Sequence, residues 1–274
     1  MKLRKTQRSK AKIKIGIKGP SGSGKTYSSL LLAKGLAKED FSKVAIICSE
    51  NKSADLYFHL GNYNVLSLEP PFTPEKYIEA IEVCEKANME VIIIDSISHC
   101  WSYLLSFHAS LKGNSFVNWS KVSAKQNQFI NRILQSNTHI IATMRTKHSY
   151  VLNLKDGKYI PEKIGLKAIQ RDDVEFEFSL VFDIDSKHLA ISTKDRTSLF
   201  VDKKPFVMNV STGTKLLNWC NNTTTEAEVI TEINKCTEVT ILSKLYSDNP
   251  SFQKRLNPLF IKRKEQLLNT QKQV

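Results

Sequence analysis

Gly19-Pro20-Ser21-Gly22-Ser23-Gly24-Lys25-Thr26 matches the phosphate-loop pattern G-x-x-x-x-G-K-[ST] at every fixed position. Its flanks place it between a strand and a helix. Ile13, Ile15 and Ile17 alternate with Lys12, Lys14 and Lys18, the period of a strand, and Tyr27 to Lys38 carries Leu30, Leu31, Ala33, Leu36 and Ala37 as a helix would. A glycine-rich turn in that setting lets successive backbone N–H groups point at phosphates, while the helix behind it directs its positive end at them. The stretch therefore predicts a nucleoside triphosphate site lined by Gly19, Pro20, Ser21, Gly22, Ser23, Gly24, Lys25, Thr26 and Tyr27. Lys25 is expected to neutralise the terminal phosphates and Thr26 to place its hydroxyl on Mg²⁺.

Beyond the loop, β and α signals alternate. Lys43 to Cys48 reads as a strand that ends in Ser49-Glu50-Asn51, and Val65 to Leu68 as a short strand. Pro70-Pro71 breaks the chain, and Thr73 caps a helix to about Ala87, with Glu75 and Glu79 near its positive end. Val91-Ile92-Ile93-Ile94-Asp95-Ser96 has the look of a strand buried on both faces, so Asp95 at its C-terminal tip would reach the ligand crevice and serve Mg²⁺. A helix over Val122 to Leu134 leads to a strand at His139 to Thr143, whose tip residue Thr143 is placed to sense the terminal phosphate.

From Met144 to Gly165 no periodicity survives, but Arg145, Lys147, His148, Lys155, Lys158 and Lys163 accumulate beside Tyr150 and Tyr159. Cations interleaved with aromatics suit a surface that tracks a nucleic-acid backbone and stacks bases, and they equally suit a solvated loop. Phe178 to Asp183 and His188 to Thr193 read as a hairpin, followed at once by Lys194-Asp195-Arg196.

The formal net charge of +13 favours a polyanionic partner. Lys2, Arg4, Lys5, Arg8, Lys10, Lys12, Lys14 and Lys18 precede the first acid, Glu39, so residues 1–11 form a basic arm that either contacts DNA or aids solubility. Five cysteines without C-x-x-C spacing read as free thiols in a reducing cytoplasm. No apolar run approaches the roughly 20 residues of a membrane span, and the basic N-terminus is not followed by the apolar stretch of a signal peptide.

Taken together, the phosphate loop, Ser49-Glu50-Asn51, Ile92 to Ser96, Thr143 and the hairpin ending in Lys194-x-Arg196 resemble, in order and spacing, the RecA-like ATPase core. The Lys-x-Arg pair looks like that of RadA and DnaB-type proteins. Ile164-Gly165, Gln170-Arg171-Asp172, Glu175 to Phe178 and Lys194 to Thr197 are similar to phage-encoded RecA-like AAA-family ATPases linked to single-strand annealing and recombination.

The resemblance, over Lys12 to Trp219, implies an α/β fold: a P-loop NTPase core over 12–220 with a mostly parallel central sheet flanked by helices. It implies ATP and Mg²⁺ as cofactors, with Glu50 orienting the attacking water and Lys25, Thr26 and Asp95 holding phosphates and metal. Lys194 and Arg196 would act in trans on the neighbouring subunit's γ-phosphate, which entails a homo-oligomer, ring or filament. Without the family, Glu50 has a second reading as a helix-capping acid, and Lys194 with Arg196 as exposed strand-end cations. The RecA-type extra N-terminal segment is replaced here by the short arm, and Phe107 to Trp119 and Arg145 to Lys163 occupy the places of the two DNA-binding loops without matching their sequences. Single-stranded DNA and a single-strand-binding or annealing protein are the implied partners.

Asn221 to Thr225 reads as a polar linker, and 226–270 as a small C-terminal module of three amphipathic helices, Glu226 to Lys235, Val239 to Tyr246 and Ser251 to Leu268. Two other functions remain open at this point: a small-molecule or nucleotide kinase, since the same phosphate loop occurs there, and a regulatory nucleotide-binding loader that recruits partners through its tail.

Overall fold

Runs of branched aliphatics with helices between them demand a sheet covered on both faces. The computed structural model meets that demand; it describes residues 11–155, 158–222 and 224–271, with backbone alone at 150–155, 158–164 and 270–271. Residues 1–10 of the basic arm lie outside the described residues.

The strands are β1 (Lys14–Gly19), β2 (Val44–Cys48), β3 (Asn64–Ser67), β4 (Val91–Asp95), β5 (His139–Lys155), β6 (Lys158–Ala168), β7 (Leu180–Ile184) and β8 (Ala190–Asp195). They form one sheet in the order β3-β2-β4-β5-β1-β7-β8, with β6 paired to β5 off that path. Every pairing from β3 through β7 is parallel, while β8 and β6 return antiparallel as hairpins. The first six helices are α1 (Lys25–Leu36), α2 (Pro74–Lys86), α3 (Ile97–Ser110), α4 (Ser115–Gln135), α5 (Val174–Glu177) and α6 (Val210–Asn221).

Period two divides each strand between two cores. Ile13, Ile15, Ile17, Ile46 and Ile93 face α1 and α6, whereas Ile47, Ile92, Ile94 and Ile140 face α2, α3 and α4. At roughly 1.5–3 kcal/mol for each fully buried aliphatic, this two-faced burial is what holds the strand tips in place. α6 lies so close on α1 that only glycine fits the crossing: a Cβ on Gly35 would sit 2.1 Å from the Val210 carbonyl oxygen, and one on Gly213 would sit 2.1 Å from that of Leu32. Lys14, on the α4 face of β1, is buried rather than solvated. Its ammonium donates to the Ser136 and Thr138 carbonyls at 2.7 and 2.6 Å, and burial pushes its pKa down to about 8.

The stretch from Met144 to Gly165, expected to be irregular, is instead the β5–β6 hairpin. Burial along β5 stops at Met144, and Lys147 and His148 are exposed, so a periodicity reading finds no buried face there, whereas the cross-strand pairing to β6 continues the strand.

Three further helices, α7 (Glu226–Lys235), α8 (Val239–Asp248) and α9 (Gln253–Gln271), enclose their own core of Val229, Ile233, Leu242, Leu256 and Phe260. Thr225 and Glu228 form a capping box at the start of α7. Among the described residues, no helix is long and apolar enough to cross a membrane. All five cysteines are buried, and none forms a disulfide.

Candidate nucleotide-binding site

In a parallel sheet, ligands bind beyond the carboxyl ends of the strands where the strand order reverses, and here β1 continues through α1 to β2 on one side while β7 lies on its other side. A cleft of about 580 Å³ opens at that point. Ser21, Gly22, Gly24, Lys25, Thr26 and Tyr27 line it, as do Glu50, Asp95 and Arg145. Gly22 and Gly24 adopt φ of +79° and +86°, which side chains rarely take, and a Cβ on Gly19 would sit 2.4 Å from the Ile184 carbonyl oxygen. These constraints are the physical content of the glycine pattern.

Lys25 folds back on the loop, its ammonium donating to the Gly19 and Pro20 carbonyls at 3.0 and 2.8 Å. Burial pushes its pKa down, against the opposing charges of Asp95 and Glu50. The Ser23 hydroxyl is fully buried beneath the loop with no hydrogen-bond partner, as an anion cradle leaves it. Asp95 is 1% exposed, and burial raises its pKa. Two hydroxyls hold it: Thr26 donates to Oδ2 at 2.6 Å and Thr143 to Oδ1 at 2.5 Å.

Thr143 thus occupies a different place from the phosphate-sensing one expected. It is fully buried on an interior strand with its hydroxyl committed to Asp95, and it is not among the residues that line the cleft. Arg145, expected among the DNA contacts, also lies elsewhere. Its Nε donates to Glu50 Oε1 at 2.8 Å, and its backbone N–H donates to Ser98, which draws the foot of the hairpin into the cleft. Burial alone would push the Glu50 carboxyl up, but the Arg145 hydrogen bond and charge hold it below its usual range. The same bond raises the Arg145 pKa.

Lys147 is exposed on the hairpin, while the side chains of Lys155, Lys158 and Lys163 lie outside the described residues. Lys194 and Arg196 do not join the cleft. β8 runs antiparallel to β7, so Lys194 stands level with Val181 and, across β7, with Gly16, three residues short of the loop's first glycine, Gly19. Arg196 is exposed beyond it, and the Lys194 ammonium donates to the Phe176 carbonyl.

Sequence reasoning missed several residues of the cleft. His188, in the β7–β8 turn, places Nδ1 3.0 Å from the Ser23 carbonyl and so covers the loop. Tyr57, whose ring centroid is 6.0 Å from that of Tyr27, forms with Val207 and Met208 an apolar wall suited to a nucleobase. The periodicity within single segments carries no signal for these long-range approaches. The cleft accordingly has a polar half for phosphates and an aromatic half. Among the described residues no three His, Cys, Asp or Glu side chains cluster, so a divalent ion here would be held by Thr26 and Asp95 together with nucleotide oxygens and water, the habit of Mg²⁺.

A parallel sheet with a phosphate loop after its first strand and an acid at the tip of a neighbouring buried strand defines a P-loop ATPase. The AAA domain family matches residues 11–218, and the chain belongs to that family. No curated protein matches the chain. The chain is similar to the crystal structure of a KaiC-like protein from the hyperthermophilic archaeon Pyrococcus horikoshii, at 17% identity and a TM-score of 0.41, over 67% of this chain and 79% of that one.

Proposed function

We propose that this nucleotide-binding ATPase works with ATP and Mg²⁺ as a homo-oligomer, ring or filament, on single-stranded DNA in phage-type recombination, single-strand annealing or repair. The observation that carries the catalytic half is the meeting of Lys25, Thr26, Asp95 and Glu50 in one cleft. In this reading Lys25 leaves the Gly19 and Pro20 carbonyls to neutralise the terminal phosphates, and Thr26 holds the metal with Asp95 behind it. Mg²⁺, when bound, supplies charge neutralisation at the phosphate oxygens. Glu50, kept ionised by Arg145, orients the attacking water and accepts its proton. Lys194 and Arg196, remote from their own loop, serve a neighbour's γ-phosphate in trans.

Support for DNA comes from charge. Residues 96–155 contain no Asp or Glu; Lys125, Arg132 and Arg145 there pair with Glu75, Glu85 and Glu50, while Lys112 and Lys121 around the α3–α4 tip and Lys147 on the hairpin stand exposed. A single-strand-binding or annealing protein would be a natural co-worker on such a substrate. The test is ATP turnover with and without single-stranded DNA. Stimulation is expected; turnover indifferent to DNA, or phosphoryl transfer to a nucleoside, overturns the proposal.

A further inference from the structure

Across the segment that walls the nucleotide cleft lies a second groove of about 650 Å³. Its sides are the β8–α6 connection and the α8–α9 turn, and Val207 belongs to both cavities. Lys203, Lys204 and Lys215 line the groove, and no Asp or Glu does. All three lysines are exposed, and among the described residues none has a carboxylate partner. Two exposed acids border it, Asp202, 3.4 Å from Lys254, and Asp248 at the end of α8, but only the lysines line it. A concave surface with an excess of cations attracts anions, because its low-dielectric walls focus their field.

Lysine ammoniums act as point charges without the fixed geometry of an arginine fork, so they can follow a phosphate chain whatever its local conformation, and the groove's cations are all lysines. Its aromatic floor is engaged internally: Phe200 is buried and stacks on Phe206 with centroids 5.6 Å apart, and Phe206 also meets Phe182 edge to face, so the rings pack on one another rather than standing free in the groove. We propose that this groove binds the sugar–phosphate backbone of single-stranded nucleic acid without reading its bases. The inference rests on the DNA reading above and adds a binding surface apart from the hairpin. Through Val207, a strand held there abuts the nucleotide cleft.

The probe is a fluorescein-labelled thymidine oligonucleotide, titrated by anisotropy over a range of salt. Lys203→Glu/Lys204→Glu/Lys215→Glu should lose on the order of 10-fold or more in affinity, and its slope of log affinity against log salt should flatten by about 2, at roughly 0.7 per single-strand contact. Binding of a fluorescent ATP analogue and the thermal melt should match those of the wild type. Where charge reversal lowers the melt, the triple alanine variant serves instead, with the same loss of slope expected. Lys147→Glu on the hairpin separates the two readings. If it weakens binding while the groove variants do not, the groove proposal falls and the DNA function stands. If the wild-type protein binds no oligonucleotide, both fall. Displacement of the oligonucleotide by polyglutamate at equal charge concentration overturns the proposal in favour of an acidic protein partner.

Discussion

Asp95 ends β4 and Glu50 follows β2, neighbouring strands whose last residues, Asp95 and Cys48, pair in register, yet their surroundings oppose each other. Asp95 is sealed under two hydroxyls, and burial raises its pKa; Glu50, two residues past the end of β2, meets a guanidinium from the hairpin that holds its pKa down. One carboxylate is fixed by two neutral hydroxyls, from α1 and β5, the other by a single ion pair from the hairpin. Such environments suit different work. A sealed acid positions an ion, and a half-exposed, charge-assisted one is available to a water.

The largest effect expected is on what both walls share. Lys25→Ala should abolish hydrolysis and severely weaken triphosphate binding, measured by turnover and by titration with a fluorescent nucleotide. Unchanged turnover would remove the cleft from the chemistry altogether. Next comes the cation that neither wall contains. Arg196→Ala should still bind ATP as an isolated subunit but lose on the order of 10³-fold in turnover, the scale of an arginine finger. Mixing it with Lys25→Ala should restore part of the activity, since the first keeps a good loop and the second a good finger. Absence of recovery in samples that light scattering shows to be co-assembled would break the trans reading.

The Glu50 wall itself is tested by two substitutions. Glu50→Gln should retain nucleotide but turn over roughly 10²-fold or more slowly, since a positioned base is worth about 10²–10⁴. Loss of binding along with hydrolysis would make Glu50 structural. Arg145→Ala removes the group that lowers the Glu50 pKa and leaves the burial that raises it. The base is then protonated at higher pH, so the acid limb of kcat/KM should move upward. An unmoved limb would mean that the Glu50–Arg145 pair does not set the protonation of the base.

The contrast also explains what the sequence could show. The loop was legible because each of its constraints is local: Gly22 and Gly24 need positive φ, and Asp95 follows four branched aliphatics that can only be a buried strand. The Glu50–Arg145 pair was not, because its partners come from separate strands and a guanidinium at a strand tip reads equally well as a surface cation. The same holds for α6, seated on α1 through Gly35 and Gly213, and for His188 over Ser23. The hairpin does leave a signal in the sequence: Asp156-Gly157 is of the Asp-Gly type that favours a two-residue hairpin connection, although no periodicity flanks it. The alternation that marks β1 does not tell that Lys14 is buried, because a strand covered on both faces buries both sets of side chains.

The smallest effect concerns the sealed wall. Thr143→Val keeps the shape of the side chain but deprives Asp95 Oδ1 of its donor in a site that excludes water, which should cost about 1–3 kcal/mol in chemical unfolding. The cost should depend on pH with a definite sign. Thr143 lowers the Asp95 pKa, so its loss raises the folded-state value further above that of the unfolded chain. A carboxyl with a raised folded pKa loses stability as pH climbs through that value, so the deficit of the variant should widen from acidic to neutral pH. Thr143→Ser, which restores the hydroxyl, should recover most of it. A deficit that is the same at every pH, or one that serine leaves in place, would mean that Thr143 contributes packing alone and that Thr26 suffices to hold Asp95.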